Sequence, residues 1–239
     1  MQRLSNTGTG NCLLDALGPA SLERLQPHLE PVELVIGERL PPVKHVYFPS
    51  AGLISVAATM HDGAAVEVGM MGRGGMYGIA AILSDDAPFH TARVQLPGRA
   101  LRVSTPSLRR AMHADGALQK LLLRYVQAML SAVAQTAACN RLHVLEQRCA
   151  RWLLACHDRA EGDRFPMTHG SLAMMLGVRQ PGAAVAVRAL EENALISYRH
   201  GSMAVLDRDG LERAACECYR VIQDEFDRVF TGASLLLGS

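Results

Sequence analysis

The chain has 239 residues, 49% of them apolar, and a formal net charge of +1 at pH 7. That length and apolar content suit one large domain or two modest ones with a sizeable core, and they exclude a disordered chain. The near-neutral balance excludes attraction to a polyanion through overall charge, so any nucleic-acid affinity must come from a local basic face. Lysine occurs only at Lys44 and Lys120, which leaves arginine as nearly all of the cationic charge.

The six cysteines, Cys12, Cys139, Cys149, Cys156, Cys216 and Cys218, form no C-x-x-C pair. The spacing therefore indicates neither a zinc knuckle nor a disulfide framework, and no metal ligand set is expected. Cys216 and Cys218 lie two apart on an expected helix, where they would point in different directions. The N-terminus lacks a charged-then-apolar leader pattern and no apolar run is long enough for a membrane span. A cytoplasmic protein with no membrane partner is the expectation.

In chain order, the first thirty residues predict two short helices. Asn11 caps the first, and Pro19-Ala20-Ser21 opens the second, with Leu22, Leu25 and Leu29 on its inner face. Glycine and proline then punctuate short β-type runs at 32–36, 45–48, 53–60, 65–70, 92–96 and 100–103. His61-Asp62-Gly63 marks a hairpin between two of them. Many short strands with regular turns predict an antiparallel sandwich or roll.

Residues 114–142 change to helical periodicity. Lys120, Arg124, Gln127, Ser131 and Gln135 form one polar stripe on a helix otherwise apolar or small. Such a helix needs cover on more than one side. The β-domain would supply one cover. The same helix of a second subunit would supply the other, through Leu118, Leu122, Tyr125, Met129 and Val133; a buried helix of a monomer is the alternative. Residues 144–159 predict an amphipathic helix with Leu145, Cys149, Trp152, Leu153 and Cys156 inward.

The stretch 168–196 reads as helix, tight turn, helix. Ala173 is small where two helices cross closely, and Gly177 is free to take positive φ in the turn. Ala183, Ala186, Val187 and Leu190 fall at i, i+3, i+4 and i+7, one buried stripe on the second helix. A β-hairpin follows, 196–199 and 203–206 around His200-Gly201-Ser202, as the wing of a winged helix. One final helix is expected over 207–230, with Leu211, Ala215, Cys218 and Ile222 on one face.

This order of parts resembles the CRP/FNR family of bacterial transcription regulators over roughly residues 10–206. The most specific piece is Thr168, Leu172-Ala173, Leu176-Gly177-Val178, Leu190-Glu191 and Leu195-Ile196; Tyr47-Phe48-Pro49, Asp62-Gly63 and the stretch 78–94 support it. The resemblance implies an α+β protein in three parts. These are an N-terminal antiparallel, jelly-roll-like β-roll sensor at 1–112, a long dimerisation helix at 113–142, and a C-terminal winged helix-turn-helix with a final helix at 143–239. It implies a homodimeric, sequence-specific regulator on a palindromic duplex operator, with RNA polymerase as a further family partner.

By position, the resemblance assigns base reading to Arg179, Gln180, Pro181, Ala184 and Val185, and phosphate contacts to Thr168, Ser171, Arg188, Arg199 and His200. Val185 has a core role as its alternative, and Arg188 an i, i+4 pair with Glu192. The family's frequent Arg-Glu reading pair falls here on Gln180-Pro181, so its usual base preference does not carry over. Pro181 suits a first helical turn, and Gln180 before it is expected to act as the cap.

The effector pocket implied by the resemblance comprises Gly78, Ile79, His90, Thr91, Val133 and Ala134. Three features depart from cyclic-AMP binders. Ile79 stands where a ribose-binding glutamate follows the glycine. His90-Thr91 stands where an Arg-Ser pair holds the phosphate, and a neutral imidazole is a poor substitute for a guanidinium. Val133-Ala134 replaces the polar pair that receives the adenine. Cyclic AMP is therefore not the expected effector. The lone Cys12 does not provide an iron–sulfur cluster, haem stays open among nine histidines, and no cofactor is evident. No nucleophile–base constellation points to an enzyme. The rival reading is a small-ligand module acting through protein contacts rather than DNA.

Overall fold

The computed structural model describes residues 8–41, 44–84 and 90–234. Asn11 opens α1 (Cys12–Asp15), its side chain accepting from the N–H groups of Leu13 and Leu14. Its amide donates to the carbonyls of Pro49 and Gly75, which anchors this corner to the sheet. Pro19 opens α2 (Pro19–Leu25), where its missing N–H costs nothing.

The strands are β1 (Glu30–Leu34), β2 (Arg39–Leu40), β3 (His45–Thr59), β4 (Ala65–Met71) and β5 (Thr91–Ser104). They form one antiparallel five-stranded sheet in the order β1-β5-β3-β4, with β2 on the other end of β5. The pairs of short runs at 45–48 and 53–60, and at 92–96 and 100–103, are each one long strand. β3 and β5 pair from His45–Ser104 to Ala57–Thr91, with register shifts between Pro49 and Ile54. Such irregularities bend a strand and curl the sheet into a roll. Gly52 takes φ +85° at this bend, a conformation suited to glycine. The β3–β4 hairpin closes at Asp62-Gly63, where Asp62 accepts from the N–H of Ala64.

A helix not foreseen from periodicity, α4 (Thr105–Ala114), leads from β5 to the long α5 (Gly116–Leu142) after the short α3 (Ala80–Leu83) earlier in the chain. Asp115 caps α5 by accepting from Ala117 and Leu118 N–H groups. Then come α6 (Leu145–His157), β6 (Arg164–Pro166), α7 (His169–Leu176), α8 (Gln180–Glu192), β7 (Ile196–Arg199) and β8 (Ser202–Val205). The three short strands make a second sheet, β6-β8-β7. Its hairpin turns at His200 (φ 50°) and Gly201 (φ 79°), the doubly positive geometry of a type I′ turn. No helix among the described residues is long and apolar enough to cross a membrane.

The expected single C-terminal helix is two: α9 (Arg208–Ala214), capped by Asp207, and α10 (Cys218–Ser234). Ala215 takes an extended backbone (ψ 156°) that ends α9. Cys216 thus lies outside any helix, and it and Cys218 are both buried against Cys139 rather than diverging. α10 runs back along α5: Phe226 lies 5.9 Å from the Tyr125 ring, and Arg124 donates to the Arg228 carbonyl.

Two large cores result. One joins the sheet, α1, α2, α4, α5 and α10; the other joins α6, α7, α8 and the small sheet, together with Leu53 and Leu96 of the roll. The C-terminal part therefore packs directly on the roll of its own chain. Val66 faces the α7–α8 turn, and Arg159 lies over Gly72.

Candidate nucleic-acid interface

Thr168 has an extended backbone, and its Oγ1 accepts from the Ser171 N–H at 3.0 Å, capping α7. The same hydroxyl donates to Ser171 Oγ, so both residues are used in the cap as well as lying at the surface. Gly177 ends α7 in the left-handed region (φ 63°, ψ 38°), returning its N–H to the carbonyls of Ala173 and Met174. From there the chain enters α8, whose Ala183, Ala186, Val187 and Leu190 are buried together with Leu172 and Leu176. From α6, Arg148 donates to the Leu176 carbonyl and holds the end of α7.

With that stripe inward, the opposite face of α8 is outward. Arg179, Gln180, Pro181, Val185 and Arg188 are exposed, and Ala184 is half-buried. Val185 is 58% exposed, which removes its core role. Arg188 makes no ion pair with Glu192 among the described residues, so its guanidinium is available. The N-cap is Arg179, with φ −74° and ψ 153°; Gln180 is the first helical residue, not the cap expected of it. The extended bias of a residue before proline is overridden here, and Pro181 falls at the second helical position, where its missing N–H removes no intrahelical hydrogen bond. The Gln180 amide leans over the first turn of α7: a Cβ on Gly170 would stand 3.3 Å from Gln180 Nε2.

The wing is tied to both helices. Tyr198 donates its N–H to Glu191 Oε1 at 2.7 Å, and its ring lies 4.4 Å from that of His169 at the start of α7. Arg199 and His200 are exposed at the wing tip. The helix and the wing it is tied to thus expose Arg179, Arg188, Arg199 and His200, on a chain of near-zero charge. The Tyr198 contacts were not foreseen, since pairs distant in sequence leave no periodic signal.

The other expected sites fare differently. Gly78 takes φ +116° and packs against Val46, leaving no room for a Cβ. Ile79 precedes α3 and packs on the roll core, whereas Val133 and Ala134 are exposed on α5. Among the described residues, the cleft between α3 and α4 and the cleft between α2 and α4 are lined by none of the six expected effector residues. Burial lowers the His90 pKa, favouring the neutral imidazole.

Of the expected dimer contacts, Leu118, Leu122, Tyr125 and Met129 are buried within their own chain. They pack on the roll and α10 because those elements, unseen as neighbours in the sequence, reach this side of α5 first. Only Val133, at 38% exposure, stays accessible, beside Leu123 at 45% and Leu130 at 70%. Where no metal ligands were expected, the structure gathers Cys139, His143, Cys216 and Cys218. Cys139 and His143 at i, i+4 on one helix face were a legible half-signal; their approach to Cys216 and Cys218 was not.

Comparison with known proteins places this architecture. Residues 27–115 match the model of the cyclic nucleotide-binding domain, and residues 147–214 that of the Crp-like helix-turn-helix domain. A comparison with curated protein sequences finds no match. Among solved structures, the chain is similar to a CRP/FNR-family transcriptional regulator from Eubacterium rectale at TM-score 0.68 and 14% identity, covering 87% of this chain and 99% of that one. It is also similar to FixK2 from Bradyrhizobium japonicum, at TM-score 0.66 and 16% identity over 79% of this chain and 98% of that one. The c-di-GMP responsive global regulator CLP of Xanthomonas campestris gives TM-score 0.61 and 16% identity, over 79% and 99% of the two chains. At these identities the structural likeness speaks for the fold.

Proposed function

The chain belongs to the CRP/FNR family of transcription regulators, and on that premise we propose that it is a cytoplasmic homodimer that reads a palindromic site in duplex DNA and does not take cyclic AMP. The observation that carries this reading is the outward end of α8. Arg179, Gln180 and Val185 project from a helix whose other face is locked into the core, with Arg188 on the same helix and Arg199 and His200 exposed on the wing. A helix end of this kind fits the major groove, where Arg can take guanine, an amide adenine, and Val a thymine methyl.

The dimer reading rests on α5. Leu123, Gln127, Leu130, Ala134, Ala137 and Arg141 recur at alternating spacings of four and three, and their exposed apolar members form a seam of coiled-coil type. Against cyclic AMP stand Ile79, the desolvated His90 and the apolar Val133-Ala134. Ile79, Val133 and Ala134 have no side-chain hydrogen-bonding group, and a neutral His90 imidazole lacks the permanent charge that suits a cyclic phosphate.

The test is selection of bound duplexes from a random pool with the full-length chain, followed by titration from about 50 to 200 mM salt. A recovered inverted repeat, bound with affinity that falls steeply with salt, supports the reading. Equal, salt-insensitive affinity for all duplexes would favour a module acting through protein contacts instead.

A further inference from the structure

The last turn of α5 carries Cys139 and its C-cap is His143, while Cys216 lies in the break between α9 and α10 and Cys218 opens α10. Their four ligand atoms, three Sγ and one imidazole nitrogen, all lie within 4.8 Å of one another. Cys139 Sγ is 3.5 Å from Cys216 Sγ, and Cys218 Sγ is 3.5 Å from His143 Nδ1. The corners of a tetrahedron around one ion with bonds of about 2.3 Å to sulfur are separated by about 3.8 Å. The spacing therefore fits a single ion and is too tight to enclose a polynuclear cluster.

Two further observations point to a cation here. The other ring nitrogen of His143, Nε2, lies 3.2 Å from Glu217 Oε1. A proton on Nε2 leaves the Nδ1 lone pair directed at the thiols, the carboxylate–histidine arrangement that orients metal ligands. Gln135 Nε2 likewise donates to Cys218 Sγ at 3.1 Å. The second observation is Arg151: its guanidinium is buried, its Nε and Nη2 have no hydrogen-bond partner, and its charge acts on Cys139. A divalent ion held by three thiolates and a neutral imidazole has net charge −1, the counter-charge that a buried guanidinium requires.

We propose that Cys139, His143, Cys216 and Cys218 form a mononuclear zinc-class site that staples the end of α5 to the α9–α10 junction. Three soft thiolates with one imidazole select a thiophilic divalent ion, and four protein ligands leave no open position, so its role is structural. The thiols lose their protons as the ion binds. His143 is also the C-cap of α5, one residue before the N-cap of α6. The ion thus fixes the direction in which the helix-turn-helix leaves the long helix. A disulfide between Cys139 and Cys216 alone would leave the third thiol and the oriented imidazole without a purpose.

The test is the metal content of the full-length chain, purified under reducing conditions without chelator; it does not depend on DNA binding. About one zinc per chain is expected, with Cys12→Ser retaining it and Cys216→Ser or Cys218→Ser falling below about a tenth of that. Glu217 is exposed, so Glu217→Gln leaves the fold intact while weakening zinc affinity by about 10–100-fold in competition with a chromophoric chelator. Cobalt(II) added to stripped wild-type protein should give the visible bands of a tetrahedral thiolate site, saturating at about one equivalent. A metal-free protein with reduced thiols, a Cys139–Cys216 disulfide without metal, an iron chromophore, or zinc retained in all these variants would each overturn the proposal.

Discussion

Gly177 in the α7–α8 turn faces Val66 of β4 so closely that a Cβ on the glycine would stand 3.0 Å from Val66 Cγ2. The turn that orients α8 is thus seated on the β-roll sheet of the same chain, and glycine is needed there twice, for clearance and for φ +63°. Gly177→Ala should destabilise the fold by about 1–2 kcal/mol through the left-handed backbone alone. Val66→Ala in the same chain should relieve only the contact. Urea denaturation of the three variants checks this, and full recovery in the double variant would contradict the backbone argument.

Arg179 and Arg188 should fail differently. Arg179→Ala, at the tip of the reading helix, should cost about 1–3 kcal/mol on the selected operator and relax preference at one base pair. Arg188→Ala should weaken all duplexes alike and reduce the salt slope by about 1. Fluorescence anisotropy on matched and mismatched duplexes separates the two. An Arg179→Ala variant that binds its operator unchanged would remove Arg179 from the reading head.

Leu130 is 70% exposed on α5, whereas Leu118 is buried in its own chain. Leu130→Glu should therefore yield a folded monomer by sedimentation equilibrium. Leu118→Ala should instead lose about 2–5 kcal/mol of stability while the folded fraction still associates. If Leu130→Glu stays dimeric, the seam lies on another face.

Glu67 of β4 is wholly buried, accepts from Ser55 Oγ, and has its carboxyl pushed up to about 8 by burial, against an ordinary value of 4.5. The folded state therefore holds this proton when the unfolded chain has lost it. Stability from this group is full below about pH 4.5 and is lost as pH rises towards 8. Glu67→Gln should remove that slope and raise the pH 8 melting temperature relative to wild type. A wild-type melting curve flat across this window would show that Glu67 is ionised in the fold.

The helix-turn-helix was legible in the residues because its physics is local. The left-handed Gly177 and the 3.6-residue stripe Ala183–Ala186–Val187–Leu190 each follow from neighbours within one or two turns. The Asp62-Gly63 hairpin and the Asn11 cap were legible for the same reason. What depended on distant neighbours was not. Periodicity showed that α5 is apolar nearly all round, but only the arrival of α10 and the roll decided that Leu118, Leu122, Tyr125 and Met129 are covered and Leu130 is not. Likewise, the residues alone made Cys216 and Cys218 diverge on one helix. The tertiary structure breaks that helix at Ala215 and brings both thiols to Cys139 and His143, because contacts across some seventy-five residues are set by packing and leave no trace in local spacing.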